Sequence, residues 1–152
     1  MAHGGAAVTA RFEIEVLNGE SQGERVRLAP GAYCVVVRAE SQLDATMQLA
    51  AGGDRLLNSQ AVGLAEQHIR TRGASHGHRL QLRERSADLS LDDGGISRTH
   101  AILFHGEQGL SVVDLMSTNG TLVNGQLVQD ADLAAGDIVR VGDTELMVRR
   151  SL

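Results

Sequence analysis

The sequence predicts an all-β fold, a sandwich or a barrel, and three observations carry that prediction. Eighteen glycines stand against one proline in 152 residues, so glycine turns punctuate the chain throughout. Short apolar runs recur about every ten residues, the spacing of strands joined by short turns. No alternation of strands with long helical patterns is visible, which argues against parallel βαβ units. The length suits one domain with a real core. No apolar run approaches the roughly 18 residues of a membrane-spanning helix.

The elements follow in order. FEIEVL (12–17) alternates Phe12, Ile14 and Val16 with Glu13 and Glu15, the pattern of a half-buried strand. Asn18-Gly19 starts a turn, and ERVRL (24–28) alternates again. Pro30-Gly31 marks a second turn before YCVVVR (33–38), a dense run that suits a strand covered on both faces. Residues 39–77 are richer in Ala, Gln and Leu and alternate weakly, so short helices or irregular structure fit there. Within this stretch RGASHG (72–77) is expected as the tip of a hairpin joining QHIRTR to a strand HRLQLRE (78–84). From residue 85 the β pattern resumes in DLSL (88–91), AILFH (101–105), LSVVDL (110–115), TLVNG (121–125), DIVRVG (137–142) and TELMVR (144–149).

Charge and composition narrow the function. Fourteen basic against nineteen acidic residues give a net charge of −5, so bulk attraction to nucleic acid or anionic lipid is not expected. All fourteen basic residues are arginine, which excludes a Schiff-base lysine and a P-loop lysine. Phe12, Tyr33 and Phe104 are too few for a base-stacking platform. The single cysteine, Cys34, sits in an apolar run and reads as a small core residue. The N-terminus lacks a basic-then-apolar signal pattern, so a cytoplasmic protein is expected, with residues 1–10 a flexible tail.

The stretch from Asp88 to Gly125 carries the sharpest signal. It contains Ser97-Arg98-Thr99-His100, then a strand, then Ser117-Thr118-Asn119-Gly120-Thr121, followed by Val123-Asn124-Gly125. In these two turns and their spacing it strongly resembles a forkhead-associated (FHA) domain. The downstream LAAGDIVRVG and the opening strands are also similar to that family, so the resemblance covers about residues 11–38 and 80–150. It implies an eleven-strand β-sandwich over 11–150, with 39–77 an insertion of mixed structure between the third and fourth strands. It also implies a non-catalytic signalling module whose loops at one end bind a threonine-phosphorylated protein, a substrate of a Ser/Thr kinase.

The residue chemistry agrees with that implication. A phosphate carries about −1.5 to −2 charges and three strong acceptor oxygens, so its receptor needs fixed donors and a cation. Ser97 and Thr118 offer hydroxyls, Arg98 lies beside Ser97, and the Asn119 amide can clamp a ligand main chain. Gly120 permits a positive φ. The resemblance makes His100 and Asn124 structural braces of the turns. The phosphate arginine is less plain, because the family's Gly-Arg pair is absent. Arg38 ends the third strand and is right by strand order. Arg83 lies five residues before Asp88 and is favoured by spacing, with Arg85 a more remote candidate.

Other readings compete with this one. A degenerate FHA-like scaffold would bind an unphosphorylated partner or mediate assembly. A Ser97–His100 dyad oriented by Asp114 would be catalytic, but no nucleophile elbow accompanies it. His68, His76 and His78 invite a zinc reading without cysteine or acidic residues close by in sequence. Asp92-Asp93-Gly94-Gly95 resembles part of a calcium loop but lacks its alternating carboxylates. No cofactor and no metal are expected.

Overall fold

The computed structural model describes residues 11–39, 57–72 and 84–151. Eleven strands lie in these residues. β1 (Arg11–Val16), β2 (Arg25–Leu28), β7 (Thr121–Val123), β8 (Gln126–Val128), β10 (Ile138–Val141) and β11 (Thr144–Ser151) form one sheet in the order β2-β1-β11-β10-β7-β8. β3 (Tyr33–Arg38), β4 (Leu89–Leu91), β5 (Thr99–Gly106), β6 (Gly109–Asp114) and β9 (Asp130–Leu133) form the other, in the order β4-β3-β5-β6-β9. Among the described strands only β3 and β4 pair in parallel, with Val36 beside Leu89 and Arg38 beside Leu91. The long connection between β3 and β4 makes that pairing possible, since parallel neighbours cannot be joined by a tight turn.

The two sheets bury one core between them. Phe12, Ile14 and Val16 of β1 meet Cys34 and Val36 of β3, Leu103 of β5 and Leu146 and Val148 of β11. The alternate residues of β1 carry charge instead, and Glu15 pairs with Arg149 at 2.6 Å while Glu13 pairs with Arg27 at 3.3 Å. Cys34 is wholly buried, and burial pushes its thiol pKa up to about 12, so it behaves as an inert core residue.

β3 is covered on both faces. Its other residues, Tyr33, Val35 and Val37, join Ile102, Phe104 and Val113 in a second apolar cluster under helix α1 (Ser59–Thr71). Asn58 caps that helix, its Oδ1 accepting the Ala61 N–H at 2.8 Å. Ala61, Ala65, His68 and Ile69 recur at helical spacing and form its buried face. This corrects the expected hairpin, because Gln67–Thr71 of QHIRTR belong to α1 and not to a strand. The apolar residues there repeat every three to four positions, and the period outweighs the loop-like RGASHG beyond it. The expected strand 78–84 lies outside the described residues apart from Glu84, as do residues 1–10 and most of 39–57.

Two strands were not anticipated. β8 and β9 are edges of their sheets, each with one neighbour; QLV shows no alternation, and DADL alternates Ala131 and Leu133 with two aspartates over only four residues. No helix among the described residues is long and apolar enough to cross a membrane.

Candidate functional site

The β4–β5 loop (92–98) and the β6–β7 turn (115–120) come together at one end of the sandwich. Strand register sets their positions: β5 pairs with β6 from Ala101↔Asp114 onward, so the loop before β5 and the turn after β6 leave the sheet side by side. His100, wholly buried at the start of β5, joins them. Its Nδ1 accepts the Ser97 backbone N–H at 3.1 Å, and its Nε2 therefore carries the proton and donates to the Gly120 carbonyl at 2.8 Å. Burial lowers the pKa of His100, with the Gly120 bond opposing, so the ring is neutral in the folded protein.

Asp114 shapes the turn from below. One oxygen accepts the Ser117 N–H at 3.0 Å, and the other accepts the hydroxyls of Ser117 and, at 2.7 Å, Thr121. Ser117 Oγ in turn accepts the Gly120 N–H at 2.9 Å. Gly120 has φ +84, a left-handed state that favours glycine, and a Cβ there would also displace the tip of the exposed Leu127 side chain, 2.6 Å away. The next turn uses Asn124 at φ 51. Its side chain donates to Asp137 Oδ1 and accepts the Ile138 N–H, both at 3.0 Å, which fixes the β7–β8 turn to β10.

A second brace holds the β4–β5 loop to the β10–β11 turn. Asp93 accepts the N–H of Gly95 and of Asp143, both at 2.8 Å, and the Thr144 hydroxyl at 2.7 Å. Burial pushes the Asp93 carboxyl up, but the bonds from Thr144, Gly95 and Asp143 hold its pKa below the ordinary value. The calcium-like stretch is thus a turn tied by hydrogen bonds. No group of three or more His, Cys, Asp or Glu side chains able to hold a metal occurs among the described residues. His68, on the buried face of α1, has Nε2 2.8 Å from Ser111 Oγ, while His76 and His78 lie outside the described residues.

Between the braced loop and turn lies a cleft of about 440 Å³. Ser97, Arg98, Thr118 and Asn119 line it, together with Arg38 from the end of β3. Asn58, the cap of α1, and Met116 reach it from the sides. In a chain of net charge −5, the described lining holds two arginines and no carboxylate. Ser97 Oγ accepts the Thr118 N–H at 3.0 Å, which leaves its own O–H proton to donate. The Asn119 amide donates one N–H to the Gly95 carbonyl at 2.8 Å, and its second N–H and its carbonyl oxygen are further hydrogen-bonding capacity at the rim. That bond is also a ridge, since Gly95 and Asn119 wall a neighbouring hollow with Leu122, Arg140 and Asp143.

The structure separates the arginine candidates. Arg38 is in the cleft. Arg85 is held away, bidentate to Asp88 with both bonds 2.9 Å, beside its bridge to Tyr33. Arg83 lies outside the described residues. The dyad reading fails on geometry: the Ser97 hydroxyl bonds the Thr118 N–H, the Asp114 carboxylate bonds Ser117 and Thr121, and both His100 ring nitrogens bond backbone groups. Asn58 and Met116 were missed from sequence, since neither falls within the two diagnostic turns as read there.

The comparisons with known proteins point to one family. The FHA domain family model matches residues 78–142. The FHA domain-containing protein FhaA of Mycobacterium tuberculosis is 42% identical over 81 residues, 48% of this chain and 15% of FhaA. The glycogen accumulation regulator GarA of the same species is 38% identical over 120 residues, 79% of this chain and 59% of GarA. The chain thus spans less than two thirds of either relative. A solved structure from a study of phosphothreonine-dependent FHA domain interactions superimposes with a TM-score of 0.51 at 22% identity, covering 91% of this chain and 95% of the other.

Proposed function

The chain carries an FHA domain, and on that premise we propose that its cleft binds a phosphothreonine segment of a partner protein, without catalysis. The observation that carries the reading is the cleft itself: two arginines, two hydroxyls and an asparagine amide converge where no described carboxylate opposes an anion. A phosphate needs charge-assisted donors in fixed positions, and the buried His100 and Asp114 hold the loops that present them. Ser97 and Arg38 take the phosphate, Arg98 and Thr118 flank it, and Asn119 holds the ligand main chain. Residues 11–150 act as one domain, with 39–77 inserted between β3 and β4. The partner is a substrate of a Ser/Thr kinase, and the scaffold alternative is favoured only by the missing Gly-Arg pair.

Fluorescence anisotropy with a threonine peptide library and its phosphothreonine counterpart tests the reading. Tighter binding of the phosphorylated set is expected. Arg38→Ala should weaken it about ten- to a hundredfold, the range for a hydrogen bond to a charged group. Loss at Arg83→Ala with none at Arg38→Ala would move the counter-charge to Arg83, as the sequence spacing favours. Equal binding of threonine and phosphothreonine sets by the unaltered protein would overturn the reading.

A further inference from the structure

Met116 stands out within the cleft for two independent reasons. Its backbone is left-handed, at φ 59, and among the described residues only Asn124 shares this state without being glycine. Asparagine tolerates it, and Asn124 gains two side-chain hydrogen bonds there. Methionine has no comparable local bond, and a bulky residue in that region is a genuine outlier. The second reason is exposure: Met116 is 62% exposed, and Leu127 is the other exposed large hydrophobic among the described residues. Leu127 at least covers Gly120. Met116 instead faces the cleft that holds Arg38 and Ser97.

Neither the strained backbone nor the unburied side chain helps the fold. Strain of this kind persists where the surrounding structure enforces it: the Leu115 N–H before Met116 is tied to the His100 carbonyl at 2.9 Å, and the Ser117 N–H after it to the Asp114 carboxylate at 3.0 Å. A long, unbranched, polarisable side chain adapts to varied apolar partners, which suits a ligand-facing position. We propose that Met116 is a specificity-determining residue that packs against an apolar side chain neighbouring the phosphothreonine. The cleft then reads two things at once, a phosphate on its arginine side and an aliphatic or aromatic neighbour on its methionine side. This rests on the phosphothreonine reading above.

The test is a ratio. Phosphothreonine peptides carrying Leu or Phe at each flanking position in turn are compared with the same peptides carrying Ser or Gln. The unaltered protein should favour the apolar set at one position by about five- to tenfold, the worth of burying one or two methylene groups. Met116→Asn should bring that ratio close to one, and Met116→Leu should keep it. Because asparagine adopts the left-handed state and the side chain is exposed, Met116→Asn should melt no lower than the unaltered protein. A ratio near one in the unaltered protein overturns the proposal, as does a ratio that survives Met116→Asn or a clear fall in Tm for that variant. A failure of the phosphothreonine reading looks different, because threonine and phosphothreonine peptides would then bind alike.

Discussion

Two buried histidines hold two regions of this molecule together, and they do so differently. His100 ties loop to loop: both ring nitrogens bond backbone groups, at Ser97 and Gly120, directly beneath the cleft. His68 ties helix to sheet through side chains. Its Nε2 is 2.8 Å from Ser111 Oγ, while its Nδ1 is 4.0 Å from Asp130 Oδ2, beyond hydrogen-bond reach. Around it, Arg72 pairs with Asp132 at 3.0 Å and with Asp130 at 3.5 Å. A brace to backbone fixes a loop's shape, whereas a brace between side chains fixes only where one element lies on another. Damage at His100 should therefore reach the cleft, and damage at His68 should stay with α1.

The largest effect expected is at His100. His100→Ala opens a cavity and leaves the Ser97 N–H and Gly120 carbonyl without their partner, at a cost of about 3 kcal/mol. In a chain of this size that is a fall in Tm of roughly 6–12 °C, read by calorimetry, with phosphopeptide affinity falling alongside. A Tm within about 2 °C of the unaltered protein would show that the loops hold without this joint.

The second effect is a pH dependence that belongs to His68. Burial is the main cause that lowers its pKa from 6.5 to about 4, with the Arg72 charge adding to it and Asp130 and Asp132 opposing. The unfolded chain therefore takes up the proton first. The stability His68 supports is complete above about pH 6.5 and declines as pH falls toward 4, by about 3 kcal/mol in all. Urea denaturation of the unaltered protein and of His68→Gln between pH 4 and 7 isolates it, because carboxylate titrations are common to both. The variant should lose less stability than the unaltered protein on acidification. Parallel curves would show that His68 titrates alike in the folded and the unfolded chain, so that burial does not depress its pKa.

The same pair of regions explains what the sequence reveals and what it conceals. The sandwich was legible in β1, β3 and β5 because each buries a face whose residues alternate or run continuously apolar. The loop and turn were legible because Ser97, His100, Asn119 and Gly120 lie close in sequence and keep their spacing whatever else the chain does. Edge strands β8 and β9 were not, since three and four residues are too few to display a period. The interaction of His68 with Ser111 spans 43 residues and has no local signature. Arg38 was placed second to Arg83 because the insertion separates it in sequence from Ser97, while the sheet brings it back to the cleft, its backbone N–H donating to the Arg98 carbonyl at 3.2 Å. Met116 was passed over because a backbone state is invisible in a residue name.

The smallest effect on stability is expected at Asn119, and it tests the division most finely. Asn119 joins the same two segments as His100, donating from its amide to the Gly95 carbonyl at 2.8 Å, yet it is exposed. Water can take over the Gly95 carbonyl once the amide is gone, so Asn119→Ala should cost no more than about 1 kcal/mol. Its remaining amide groups face the rim, where a ligand main chain would gain two directed bonds, so phosphopeptide affinity should still drop about tenfold or more. His100→Ala should lose stability and affinity together, and Asn119→Ala affinity almost alone. If Asn119→Ala lowers Tm as far as His100→Ala, the exposed bond is a structural joint like the buried one, and the contrast between them fails. If it lowers neither Tm nor affinity, Asn119 is not part of the binding site.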